Sequence, residues 1–351
     1  MNIGIDASNI RGGGGLIHLI EVLKACEPAN HGINKIIVWG GKETLSRMPK
    51  REFLELSYQK ELDKNLLHRI KWNLTKLSKL AKERCDILFV PGGVYLGSFR
   101  PFVVMAQNLL PFDYEVRKIY LGSFVYLKLK VLEVVQRKTF INANCVIFVS
   151  EHSKKIIESK INKPLKNVKI IPHGVSKRFK RTEAEINVHN DRLKRKIEND
   201  EEINILYVSS IAKYKNQIDL IKAVADERKT GKKLKLTLIG GNYWNAVKDL
   251  RKKIKEFDPQ NEFINYLGEV KYDKIDRYYK QTDYFVFPSL CESFGLPYHE
   301  ALAMGISNIF MSINQFYLLH SISVEKLDMW DTTAVKTFNT IKENYCKKAT
   351  Y

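Results

Sequence analysis

The sequence predicts an α/β protein of two parallel-sheet domains, and three observations lead there. Short apolar runs of strand length alternate with amphipathic stretches of helix length, the pattern of repeated βα units. That pattern breaks once, over the charged, apolar-poor stretch 179–202, and restarts at residue 203. The chain has 351 residues and is 44% hydrophobic, which is enough for two separate cores.

In the first half the expected strands are 2–6 (NIGID), 36–40 (IIVWG), 86–90 (DILFV), 102–106 (FVVMA), 145–149 (CVIFV) and 168–172 (VKIIP). Each is an apolar run fit for burial on both faces of a parallel sheet. Helical patterns fall between them, notably 16–27, 116–142 and 151–160. Residues 1–180 therefore form the first domain, and 181–202 a charged linker or surface segment. Strands resume at 203–208 (INILYV), 234–239 (LKLTLI), 263–267 (FINYL) and 284–287 (YFVF), with helices between. No internal repeat or low-complexity tract interrupts this order.

Composition narrows the function classes. The N-terminus MNIGIDASNI reads as a strand without the basic region that opens a signal peptide. No stretch approaches the ~20 apolar residues of a spanning helix, so a cytoplasmic protein is expected. The five cysteines, at 26, 85, 145, 291 and 346, show neither CxxC spacing nor clustering with histidine. Reduced thiols are expected, and no metal site.

The net charge of +19 is uneven: 31 basic against 15 acidic residues in 1–180, but 27 against 24 in 181–351. A positive first half attracts nucleic acid, anionic lipid or phosphate-bearing substrates. Neither a helix-turn-helix, an RNP motif nor a zinc pattern accompanies the charge, so a nucleic-acid partner is not expected. Residues 117–140 (RKIYLGSFVYLKLKVLEVVQRKTF) mix aliphatic, aromatic and basic side chains. Such a helix suits an anionic membrane face, with lysine stems snorkelling, or an ordinary domain core; both readings stay open.

Three clusters could carry chemistry. Gly12, Gly13, Gly14 and Gly15 separate the opening strand from the helix that follows. Four glycines exceed what a tight turn needs; they let a ligand approach the backbone, and a helix N-terminus suits an anion. Lys215, with Lys213 close by, follows the first strand of the second domain, where open α/β sheets hold ligand phosphates. The third is SLCESFGLPYHEALAMG (289–305). Glu292 lies in the loop, and Phe294, Gly295 and Leu296 lead into a helix with Pro297 in its first turn and Glu300 about one turn in. Carboxylates accept from sugar hydroxyls, and helix-start amides bind phosphate or sugar oxygens.

Residues 289–305 match the E-x7-E signature of retaining GT-B glycosyltransferases of family 4, with Glu292 and Glu300 in the glutamate positions. Further matches are the Gly12–Gly15 loop, FVSEHSKKII (148–157), VKIIPHGV (168–175), LYVSSIAKYKN (206–216), LIGG (238–241) and YLGEV (266–270). The resemblance implies two Rossmann-like domains facing each other across a cleft. It places the nucleotide-sugar domain at 203–327 and a helix at 328–351 that crosses back to the first domain. Trp330, Val335, Phe338 and Ile341 have a spacing that suits this helix.

The resemblance also assigns roles. Glu300 would bind the ribose, Lys215 the diphosphate with Lys213 assisting, and Glu292 the donor sugar. The backbone of Phe294, Gly295 and Leu296 would meet sugar and phosphate. Gly268 and Val270 would lie against the base, with Gly240 nearby, and Gly12–Gly15 would border the cleft. The chain departs from the family at three places. Ser210 stands where an arginine is common, and Gln107 and Asn108 stand where a histidine is common, though both can hydrogen-bond an acceptor sugar. Residues 306–327 replace the usual closing βα units, with Phe310, Phe316, Tyr317, Leu318 and Leu319 as expected apolar cover.

The implied activity is transfer of a sugar from a nucleotide-diphosphate sugar to a glycan or lipid-linked acceptor. No D-x-D triplet occurs, and neither metal nor cofactor is expected. The rival reading is a degenerate homologue that binds nucleotide or glycan without turnover.

Overall fold

The computed structural model describes residues 1–310 and 329–346. The side chain of Phe310 and the expected cover by Phe316, Tyr317, Leu318 and Leu319 lie outside the described residues. The chain divides into two compact units, Met1–Gly174 with Asp328–Tyr351, and Val175–Leu327.

The first unit opens with β1 (Asn2–Asp6), α1 (Gly13–Ala25), β2 (Lys35–Gly40), α2 (Lys42–Ser46) and β3 (Leu54–Tyr58). It continues with α3 (Leu66–Arg84), β4 (Ile87–Val90), β5 (Phe102–Ala106), α4 (Tyr114–Arg117), α5 (Phe124–Asn142), β6 (Cys145–Phe148), α6 (Glu151–Glu158) and β7 (Val168–Ile170). The strands form one parallel sheet in the order β3-β2-β1-β4-β5-β6-β7. Every residue of β4, β5 and β6 is buried, as expected for central parallel strands covered on both faces.

The second unit holds α7 (Glu183–Glu198), β8 (Ile203–Val208), α8 (Gln217–Lys229), β9 (Leu234–Ile239), α9 (Val247–Phe257) and β10 (Ile264–Tyr266). α10 (Asp276–Gln281), β11 (Tyr284–Phe287), α11 (Leu296–Ala303) and β12 (Ser307–Phe310) complete it. Its parallel sheet runs β10-β9-β8-β11-β12. No described helix is long and apolar enough to cross a membrane.

Several elements differ from expectation. The helix expected to begin at 16 starts at Gly13, so most of the glycine run is its first turn rather than a loop. The helix expected over 116–142 is broken: Gly122 takes φ +75, and Ser123 then caps α5 by accepting from the Tyr126 amide at 3.3 Å. Residues 181–202 do not form an unstructured link. Thr182 and Glu185 make a capping box that starts α7. Buried Asp283 accepts from Arg192 at 3.1 Å and Lys196 at 2.7 Å, fastening that helix beside β11.

The terminal helix (Trp330–Cys346) packs against α1 of the first unit. Trp330, Ala334, Thr337, Phe338 and Ile341 make its buried face, whereas Val335, expected there, points outward. Trp330 lies with its ring 5.7 Å from His18 and 6.1 Å from His173. The two imidazoles meet Nδ1 to Nδ1 at 3.0 Å, and burial pushes His18 down to about 3, so it stays neutral. A side chain at Gly174 would stand 2.5 Å from the Trp330 amide nitrogen, so only glycine lets the helix approach so closely.

Candidate functional site

Open α/β sheets bind ligands where connections leave the sheet in opposite directions. In the second unit that point lies between β8, which leads to β9, and β11, which leads to β12. Lys215 ends a 3-10 turn just after β8, and Glu292 lies in the loop just after β11. Their side chains meet as an ion pair, Nζ to Oε1, with both largely buried. The Leu290 amide donates to the Tyr214 carbonyl at 2.8 Å, and the Tyr207 hydroxyl to the Lys215 carbonyl at 3.0 Å. The two loops are thus joined by backbone as well as by charge. Burial alone would depress the Lys215 ammonium; the Glu292 carboxylate outweighs it and holds the lysine above its ordinary value.

α11 starts at Gly295 in the left-handed conformation, φ 76, with Pro297 in its first turn. His299 lies flat on Phe294, centroids 4.1 Å apart, and its Nδ1 is 3.1 Å from the Gly295 carbonyl. Burial lowers His299 to about 4, so the ring is a neutral brace for the loop containing Phe294, Gly295 and Leu296. Glu300 is only 2% exposed, and its Oε2 accepts from the Tyr279 hydroxyl at 2.9 Å. Burial, reinforced by Glu300, holds the Tyr279 phenol well above its ordinary value, so it remains a donor.

The remaining positions of this unit lie on the same sheet edge. Gly240 directly follows β9; its amide donates to the Gly268 carbonyl at 2.8 Å, and a side chain there would come within 1.7 Å of the Ser209 carbonyl oxygen. Gly268 takes φ +71 in the loop after β10 that runs on to half-buried Val270. Lys213 is exposed on the turn that carries Lys215. Ser210 is half-buried there, and its carbonyl accepts from Gln217 at 2.9 Å. The structure brings Lys215 and Glu292 together and sets Glu300 on Tyr279. Tyr279 was not anticipated, because DRYYKQ offers two adjacent tyrosines with no pattern that selects one.

In the first unit, Gly12, Gly13 and Gly14 have no heavy atom within 4 Å of an added side chain, so their backbone borders open space. Gly15 faces Gln107, whose Oε1 would lie 3.4 Å from an added Cβ, and Gln107 Nε2 donates to the Pro91 carbonyl at 3.1 Å. Asn108 turns back to accept from the Leu110 amide at 3.3 Å. Among the described residues, no three His, Cys, Asp or Glu side chains are grouped to hold a metal ion.

Residues 189–316 match the sequence profile of the family Glycosyl transferases group 1. Two curated relatives are alpha-monoglucosyldiacylglycerol synthases. That of Acholeplasma laidlawii is 34% identical over 141 residues, 39% of this chain and 34% of the relative. That of Streptococcus pneumoniae is 30% identical over 196 residues, 55% of this chain and 43% of the relative. The matched regions thus span well under half of either relative. Among solved structures, Anabaena HepE in complex with UDP-glucose superposes with a TM-score of 0.64 at 16% identity, covering 100% of this chain and 99% of that one. The fold is GT-B, with two Rossmann-like units, and the stretch that matches the group 1 glycosyltransferase profile begins in the second unit.

Proposed function

We propose that this protein is a retaining glycosyltransferase that moves glucose from UDP-glucose to a hydroxyl of a glycerolipid, diacylglycerol above all, in cell-surface glycolipid synthesis. The observation that carries the reading is the Lys215–Glu292 pair at the switch point of the second sheet, with Glu300 one turn into the helix that follows the Glu292 loop. The alpha-monoglucosyldiacylglycerol synthases among its relatives support the acceptor, and the UDP-glucose complex of a protein of the same fold supports the donor.

In this reading the donor diphosphate draws Lys215 from Glu292 and takes its charge, while the amides of Phe294, Gly295 and Leu296 meet the remaining oxygens. Glu292, released, accepts from a sugar hydroxyl, and Glu300 from the ribose. Charge developing on the leaving diphosphate is met by Lys215, with Lys213 at hand, so no metal is required. The Gly268–Val270 loop borders the base. Gln107 and the Gly12–Gly15 turn belong to the acceptor side. The protein works at the cytoplasmic face of a membrane, as a peripheral enzyme.

Purified protein assayed against a panel of nucleotide sugars, with and without diacylglycerol in detergent, tests the reading. UDP release from UDP-glucose, stimulated by the lipid and unchanged by EDTA, is expected. Release from no donor would overturn it. Ser210 favours a second reading, a homologue that binds nucleotide without turnover, because one diphosphate cation common in the family is absent. Tight UDP binding by calorimetry without any UDP release would select it.

A further inference from the structure

The loop after β9 carries two aromatic side chains that have no part in the proposed transfer. It runs GGNYWNA over residues 240–246 and joins β9 to α9 at the carboxyl edge of the second sheet. Tyr243 and Trp244 stand side by side in it, ring centroids 4.4 Å apart and 32° from parallel. Tyr243 is 39% exposed, the only exposed aromatic side chain among the described residues of the second unit. α9 does not need these rings as cover, because Leu250 and Ile254 make its buried face.

The backbone is strained to hold them. Trp244 takes φ +52 and Asn245 φ +61, two successive residues in the left-handed region. Asparagine adopts that region readily; a bulky tryptophan does so rarely, and such strain collects where a loop clamps a ligand. The surroundings enforce it. The Ile211 amide donates to the Gly241 carbonyl at 2.8 Å, and the Tyr243 amide to the Ile211 carbonyl at 3.0 Å. The Asn242 side chain accepts from the Val247 amide at 3.2 Å, closing the loop onto the start of α9.

In the strand order β10-β9-β8, β9 is the middle strand, so its loop has one donor-side group on either flank. On the β8 side, burial pushes the Tyr243 phenol above its ordinary value while the Lys215 ammonium draws it back, so the two groups lie within electrostatic reach. On the β10 side, a side chain at Gly241 would stand 3.2 Å from Glu269 Oε2, in the loop between Gly268 and Val270. The Tyr266 hydroxyl donates to the Gly240 carbonyl at 2.9 Å, tying these two loops together. A nucleotide with its diphosphate at Lys215 and its base at the Gly268–Val270 loop passes the aromatic pair.

We propose that Tyr243 and Trp244 form a stacking platform for the planar base of the donor nucleotide. Stacking on an aromatic ring needs only the π face of the base and makes no demand on its hydrogen-bonding edges. The pair therefore supplies affinity and fixes the plane of the base, and the Gly268–Val270 loop is left to read its edge. The strained turn orients the rings before the ligand arrives. The proposal rests on the nucleotide-sugar reading of Lys215 and Glu300, and the two can fail separately.

Tryptophan emission reads the contact directly, because Trp39, Trp72 and Trp330 are buried and Trp244 is not. UDP titrated into the full chain is expected to quench that emission, and inorganic pyrophosphate is expected to leave it unchanged. Trp244→Phe should abolish the quench yet keep UDP affinity by calorimetry within about threefold, since phenylalanine also stacks on a base. Tyr243→Ala and Trp244→Ala should each weaken UDP about tenfold or more and leave pyrophosphate affinity unchanged.

Wild type that binds UDP without quenching, unchanged UDP affinity in both alanine variants, or equal losses for UDP and pyrophosphate would each overturn the platform. UDP binding with the expected quench, in a protein that releases UDP from no nucleotide sugar, would instead sink the transferase reading and leave the platform standing.

Discussion

The carboxyl edges of the two sheets are built in opposite ways. In the second unit the polar groups are mutually engaged: Lys215 on Glu292, Tyr279 on Glu300, and the Gly240 amide on the Gly268 carbonyl. In the first unit the glycine turn faces open space, and the neighbouring helices expose aliphatic side chains. Fixed charges in a buried setting favour a small charged ligand of defined shape, because buried dipoles and charges are oriented before the ligand arrives. Bare backbone and apolar surface tolerate a large and variable ligand. The contrast agrees with the proposed placement of the donor at one edge and the acceptor at the other.

If the contrast is right, the largest effect comes from Lys215→Ala. It leaves Glu292 largely buried without its cation, a loss of about 3 kcal/mol or more. Turnover should fall about 100-fold or more through loss of the diphosphate charge. Denaturant unfolding together with UDP-glucose hydrolysis checks both, and a fully active, equally stable variant would remove the pair from the mechanism.

Gly240→Ala comes next, since its methyl overlaps the Ser209 carbonyl oxygen. A cost of about 1–3 kcal/mol is expected from overpacking, read as a lower melting temperature. Gly14→Ala, on the other edge, has no neighbour to meet and should stay within about 0.5 kcal/mol. Equal penalties for the two glycines would erase the distinction between a closed and an open edge.

Glu300→Ala should weaken UDP binding by about 1–3 kcal/mol, the scale of lost charge-assisted hydrogen bonds. Calorimetry showing unchanged affinity would take the ribose away from Glu300. Tyr279→Phe removes one hydroxyl that donates to that carboxylate and should cost less, about 0.5–1.5 kcal/mol. A 3′-deoxy nucleotide separates orientation from mere stability: its penalty relative to UDP should shrink in Tyr279→Phe, whereas a purely structural tyrosine would leave that ratio untouched.

Much of this was legible in the chain because buried parallel strands are written as continuous apolar runs. β5 matches its expected bounds, 102–106, and β8 and β9 likewise match 203–208 and 234–239. β3 was not named: LELSY alternates weakly, and it lies at the sheet edge with no residue fully buried. The capping box Thr182–Glu185 was visible before α7, but the surrounding charge made the segment look like a link. Val335 was placed on the inner face of the terminal helix by hydrophobicity alone. The helix instead buries Thr333 and Thr337, whose hydroxyls donate to backbone carbonyls.

By itself, the sequence determined the alternation of strands and helices, the glycine turn, the E-x7-E string and the excess of positive charge in the first half. These are local properties, carried by composition and by spacings within about one element. Only the tertiary structure decided that Lys215 and Glu292, 77 positions apart, close on each other. The reason is strand order: β11 inserts beside β8, bringing two loops distant in sequence to one point of the sheet. Packing of α10 likewise buried Tyr279 rather than Tyr278, and packing of α3 and α5 on the sheet left aliphatic residues of both exposed. Both are set by which faces must be buried when all the elements pack together.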